Sequence, residues 1–104
     1  MGRRTVKIAA KTESVIFKMG TRIKKARLRR NIMAETLAEH VGISKGTLSA
    51  IEQGEPTVSI GAYAEVLNAL DMVSDLNGIA VDTEGKGKYE DVQLWQRKRA
   101  TKKK

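Results

Sequence analysis

Within six positions the chain places Lys45, Thr47 and Ser49, three hydrogen-bonding side chains, beside the two smallest residues, Gly46 and Ala50. No acid interrupts them. Such a set suits non-covalent recognition: donors for acceptor atoms, and a backbone thin enough to approach closely. A slim helix with this outward face fits the major groove of duplex DNA. The types needed for catalysis are scarce. His40 is the single histidine and there is no cysteine. No Ser-His-Asp or metal-ligand spacing surrounds His40, which reads as a solvent-facing position. Gly85 and Gly87 do not join a strand to a helix as a phosphate loop would. The expectation is therefore no catalytic residue, no metal and no cofactor.

The elements that must position this face are legible in residues 37–54. Leu37, Ala38 and Val41 give one helix an apolar stripe. Gly42 reverses the chain, since glycine takes positive φ without steric cost. Ile43 tucks under the turn. Ser44 caps a second helix by accepting from the free amide of Thr47, and Leu48 and Ile51 turn back toward the first helix. Two short helices joined by a tight turn result, with Lys45, Gly46, Thr47, Ser49 and Ala50 outward. The plainer alternative is a helical hairpin that only packs.

Charge points to a polyanion. The net charge of +8 is placed unevenly. Residues 1–12 carry Arg3, Arg4, Lys7 and Lys11 and no acid. Residues 84–104 carry eight bases against Glu84, Glu90 and Asp91, while 13–83 carry eight bases against nine acids. Within that middle, Lys18, Arg22, Lys24, Lys25, Arg27, Arg29 and Arg30 crowd one helix. A polyanion would meet the ends and one face. The absence of cysteine fits a reducing compartment. No apolar run approaches a membrane span or a signal peptide, so a soluble, cytoplasmic protein is expected.

The remaining pattern gives one all-α domain with two extensions. Residues 1–13 form a basic arm, in which Thr5 to Ile8 alternates as a strand would but lacks a partner. The spacing of Ile16, Met19, Ile23, Ala26 and Arg27 predicts a helix from about Ser14 to Arg30. Asn31 is a plausible left-handed stop. Ser59 caps a fourth helix with the stripe Ile60, Tyr63, Val66, Leu67 and Leu70. A short fifth helix begins near Ser74 or Asp75 and ends near Ala80, closing a domain over 14–80. Residues 81–104 read as a linker, a short amphipathic helix and a basic tail. Tyr89, Val92 and Trp95 recur every three residues there, a candidate docking face for a protein partner.

The string from Ile23 through Ala26-Arg27 to Asn31-Ile32, then Leu37-Ala38, Val41-Gly42-Ile43-Ser44, Leu48, Ile51-Glu52-Gln53-Gly54 and Pro56, closely resembles the lambda-repressor/Cro-like, or XRE, helix-turn-helix family. The resemblance covers about residues 15–76. It implies a five-helix domain, a homodimer, a bacterial setting, and a recognition helix that starts at Ser44. It also implies that Arg27 and Glu52 pair, which suits a partly buried arginine that needs a carboxylate. The candidate base-reading residues are then Lys45, Gly46, Thr47, Ser49 and Ala50, with Lys45 foremost. Ser44, Arg27, Gln53, Thr57, Arg3 and Arg4 are the candidates for phosphate contact.

Two departures stand out. Met33 and Ala34 replace the Ser or Thr and the Gln that the family usually has, so the second helix lacks a side-chain cap. Gly46 and Ala50 stand where relatives often carry long base-reading side chains, which shifts weight to phosphate contacts and DNA shape. Residues 73–104 are loosely similar to small antitoxins paired with HipA-type kinase toxins. The expected partner is a double-stranded, palindromic DNA operator, and the expected role a dimeric repressor, with a HipA-like kinase toxin as a candidate further partner. The alternatives are an adaptor of the multiprotein-bridging type and a phage or mobile-element repressor without a toxin.

Overall fold

A computed structural model describes residues 6–82. Four α-helices follow one another, α1 Ala10–Arg29, α2 Ala34–Val41, α3 Lys45–Glu52 and α4 Ile60–Ala69, and a 3-10 helix, Val73–Gly78, completes the set. The expected all-α, five-helix order is what the chain adopts. The arm Arg3 and Arg4 and the face of Tyr89, Val92 and Trp95 lie outside the described residues.

Helix α1 starts at Ala10, four residues before the expected Ser14. Its N-cap is Ala9, which makes no side-chain cap. Nothing in the sequence announces this start. Ala10 and Lys11 are strong helix formers, and Glu13 in the first turn favours the positive end of the helix dipole. The extra turn therefore extends the helix into what reads as arm.

All four α-helices end in one way. Asn31 (φ 55°), Gly42 (φ 86°), Gly54 (φ 71°) and Asp71 (φ 64°) each take the left-handed conformation just past a helix. The next amide then reaches back to a carbonyl five residues earlier: Ile32 to Arg27 at 3.2 Å, Ile43 to Ala38 at 3.0 Å, Glu55 to Ala50 at 2.9 Å and Met72 to Leu67 at 2.8 Å. These bonds satisfy carbonyls that a helix end otherwise leaves open. The same bonds drop Ile32 and Ile43 against the core, where both are half-buried.

Burial follows the helical stripes. Ile23 and Ala26 of α1, Leu37 and Ala38 of α2, Leu48 and Ile51 of α3, and Tyr63, Val66 and Leu67 of α4 with Leu70 make one core. Helix α1 packs chiefly on α3, α2 on both α3 and α4, and the 3-10 helix on α4. Ile60 is a correction to the expected α4 stripe. It is 72% exposed, as the first residue after the Ser59 cap. With Ile79, also exposed, it rims an apolar groove floored by Ile16, Met19, Tyr63 and Leu67. The fifth helix is tighter than an α-helix and ends at Gly78 rather than Ala80.

Candidate nucleic-acid interface

The turn and the second helix of the pair are built as their residues dictate. Gly42 bends the chain, and the Ser44 hydroxyl accepts from the Thr47 amide at 3.0 Å. The same hydroxyl donates to the Thr47 hydroxyl at 3.0 Å, so the cap also fixes a side chain. Leu48 and Ile51 are buried, 1% and 0% exposed, and anchor α3 from behind. At about 100° per residue, the direction opposite those two is held by Gly46, Ser49, Ala50 and Gln53. Lys45 flanks this front on one side and Thr47 on the other.

Exposure agrees with the wheel. Lys45, Gly46, Ser49 and Gln53 are exposed, and Thr47 and Ala50 are half-buried. The front is slim: a Cβ added at Gly46 would meet only the Ser44 hydroxyl, at 3.7 Å. Gln53 was placed by the sequence among the phosphate contacts. It shares the front, one helix length from Lys45, and its amide donates to the Ser49 hydroxyl at 3.0 Å. Gln53 therefore joins Lys45 as a long side chain on this side of α3. The signal was available, because Gln53 follows Gly46 by seven residues and Ser49 by four. Thr57 is exposed in the loop before α4, and Ser44 is exposed at the turn.

The pose of α3 is set from α1 by two devices. The first is an ion pair. The Arg27 Nε donates to Glu52 Oε2 at 2.7 Å and Nη2 donates to Oε1 at 3.1 Å, a fork that matches the carboxylate. Nη1 donates to the Ile32 carbonyl at 2.8 Å. The hydrogen bond to Glu52 raises the arginine pKa above its usual value, burial opposes this, and the Glu52 charge adds to the rise. Arg27 is 7% exposed and each of its nitrogens has a partner inside the domain. Three of its five N–H donors are thus used inside the domain, which leaves little of the guanidinium open to a phosphate and makes the ion pair its structural role.

The second device has no counterpart in the sequence reading. Gly20 of α1 lies against the end of α3: a Cβ there would fall 2.6 Å from both the Gly54 amide nitrogen and the Ile51 carbonyl oxygen. A Cβ on Gly54 would in turn fall 2.5 Å from the Phe17 Cα. Backbone meets backbone, glycine to glycine, 34 residues apart. No local pattern reports such a crossing.

Tyr63 completes the support beneath the loop that follows α3. Its hydroxyl donates to the Glu55 carbonyl at 2.8 Å, and burial, with the Glu55 charge, pushes its pKa up. The arrangement is a braced, capped helix that presents a thin polar front at the end of a tight turn. Residues 18–76, more than half of the 104-residue chain, match the helix-turn-helix domain family. The chain belongs to the helix-turn-helix domain family. Its members' defining pair here is α2 and α3, and the domain is of the DNA-binding kind. A comparison with curated proteins gives no match. Among the described residues, no cluster of ligands could hold a metal ion, and no helix is long and apolar enough to cross a membrane.

Proposed function

We propose that this helix-turn-helix protein is a sequence-specific regulator of transcription that binds duplex DNA through the front of α3. The observation that carries the reading is the slim face of exposed Lys45, Gly46 and Ser49 with half-buried Ala50, on a helix braced from behind by the Arg27–Glu52 pair. The N-terminal residues of a recognition helix are the ones that reach base edges. Lys45 and Gly46 occupy that end. Lys45 supplies the strong donor, and Ser49 a weaker one. Gly46 allows the helix backbone to approach closely. Ser44 and Thr57 flank the front as phosphate contacts, with Arg3 and Arg4 of the arm.

The expected working form is a homodimer acting as a repressor on a palindromic operator, with its two recognition helices about 34 Å apart on one face of the duplex. Selection of bound sequences from a random duplex pool should yield a palindrome, and sedimentation should find two chains per site. A single half-site bound by one chain would contradict the dimer. An adaptor would show only weak, salt-sensitive affinity with no preferred sequence. The antitoxin role rests on residues 73–104 alone. If it holds, Trp95→Ala should release a co-expressed HipA-like kinase while DNA binding persists. Retention of the kinase by that variant would remove the docking role of Trp95.

A further inference from the structure

Helix α1 carries its bases in a pattern that the reading face does not use. Lys11, Lys18, Arg22, Lys25 and Arg29 are spaced 7, 4, 3 and 4 residues apart. That is the spacing of one helix face, and all five fall within about 30° of a single line. The line runs for about 27 Å at 1.5 Å per residue. All five are exposed, and among the described residues none makes an ion pair or hydrogen bond through its side chain. Glu13 is the only acid in α1 and points about 140° away from the line.

The direction of this stripe is fixed by Gly20, whose bare Cα marks the side of α1 pressed on α3. The five bases stand about 140–200° around the helix from Gly20. They therefore lie across α1 from its contact with the end of α3. The front of α3 borders α1 near Gln53, beside Ala10, Glu13, Ser14 and Phe17, and those four stand about 50–150° around α1 from the stripe. A duplex seated on the front meets that flank of α1, and it would have to bend sharply within the width of one small domain to reach the stripe as well. The crowd of bases on α1 is thus not part of the reading face, as the sequence alone had suggested for a single charged side.

We infer that the outer face of α1 is a second phosphate-binding surface, which takes a separate segment of duplex DNA while α3 holds the first. The inference rests on the proposed DNA-binding role of α3. A straight row of unpaired cations beside a polyanion that the protein already holds favours more of the same polyanion. An anionic membrane is a poorer fit, because Ile16, Met19, Ile23 and Ala26 of α1 pack in or against its own core. The apolar residues left exposed on α1, Val15, Phe17 and Leu28, are scattered and do not make the continuous apolar face that a membrane-surface helix needs. The protein would bring two duplex segments together, sequence-specifically on one side and by charge alone on the other.

The test compares the full chain with a variant carrying Lys18→Gln, Arg22→Gln, Lys25→Gln and Arg29→Gln. Glutamine keeps helix propensity close to that of lysine and arginine, and thermal denaturation checks that the fold survives. A second variant, Lys18→Arg with Lys25→Arg, keeps the charge. The probes are two mixed-sequence duplexes of about 20 base pairs, two helical turns, one immobilised and one fluorescent. Anisotropy reads affinity for one duplex, and capture of the fluorescent duplex on the immobilised one reads bridging. The full chain and the arginine variant should bridge. The glutamine variant should lose about tenfold or more of the capture, with single-duplex affinity changed less than about threefold. Capture by the full chain should fall with salt at a log–log slope of about −0.9 per phosphate contact.

Equal capture by the glutamine variant would overturn the inference, since bridging would then come from paired recognition helices or the basic ends. A parallel fall of affinity and capture would overturn it too, by placing the stripe in the primary footprint. So would single-duplex binding by the full chain without capture, including the case where polyglutamate binds the stripe instead. A full chain that binds neither these duplexes nor any sequence selected from a random pool would instead remove the proposed function of α3.

Discussion

At the scale of single residues, two buried polar groups hold α3 to α1. Arg27 and Glu52 are both under 10% exposed, and each is satisfied only while the other is present. Removing one partner strands a charge, which in general costs about 3–5 kcal/mol. Arg27→Met and Glu52→Gln should each lower the melting temperature sharply, and the double variant should be less damaged than their sum. The coupling in a double-mutant cycle should stand well above the roughly 0.5 kcal/mol scatter of independent sites. Strict additivity would contradict the pair. Tyr63 gives a pH prediction. Its pKa is raised in the folded state, so the neutral phenol is favoured by folding. The stability it adds is complete below the ordinary tyrosine value of about 10 and is lost as pH climbs from there through the raised value. Tyr63→Phe should cost about 0.5–1.5 kcal/mol at neutral pH through the lost bond to the Glu55 carbonyl. It should also flatten the alkaline decline in melting temperature. A variant that declines as steeply as the parent would place the alkaline transition elsewhere.

At the scale of elements, the devices differ in how far the sequence shows them. The turn before α3 was legible, because Gly42 and Ser44 act on neighbours within a few residues. So was the stop at Asn31. Asp71 does the same work after α4 and was not read, because aspartate seldom takes that role and nothing nearby forces it. The start of α1 was missed for want of a cap. The Gly20–Gly54 crossing was invisible, since it depends on which helices meet and not on either segment alone. It predicts an inversion of ordinary propensity. Alanine is favoured over glycine inside a helix by about 1 kcal/mol, yet Gly20→Ala should destabilise, because the added Cβ strikes backbone that cannot move aside. Overpacking of this kind costs about 1–3 kcal/mol. A melting temperature at or above that of the parent would mean that α1 and α3 separate freely. Helix α2 predicts a gain. Met33 is its N-cap, makes no side-chain cap and is 65% exposed. Met33→Ser should stabilise by about 1 kcal/mol, read by urea denaturation. No gain would show that the α2 amides are satisfied in another way.

At the scale of the whole molecule, the design is a rigid frame around one thin helix. Every brace described here, from the Arg27 fork to the glycine crossing and the Ser44 cap, acts on α3 or its ends. Positioning of that order is wasted on a helix that merely packs, and it is needed by one that must meet base edges within hydrogen-bond reach. The base-reading side chains were legible as types and spacing. Their order of importance was not, because exposure divides them: Gln53 joins the front and Thr47 partly leaves it. The most direct test of the central claim is the ratio of affinities for selected and random duplexes, measured for the parent and for Lys45→Ala at one salt concentration. Lys45 is exposed at the first position of α3 and takes part in none of the braces. The ratio should fall by the equivalent of about 1–3 kcal/mol, with the melting temperature unchanged. An unchanged ratio in a folded variant would contradict the claim that this end of α3 reads the DNA.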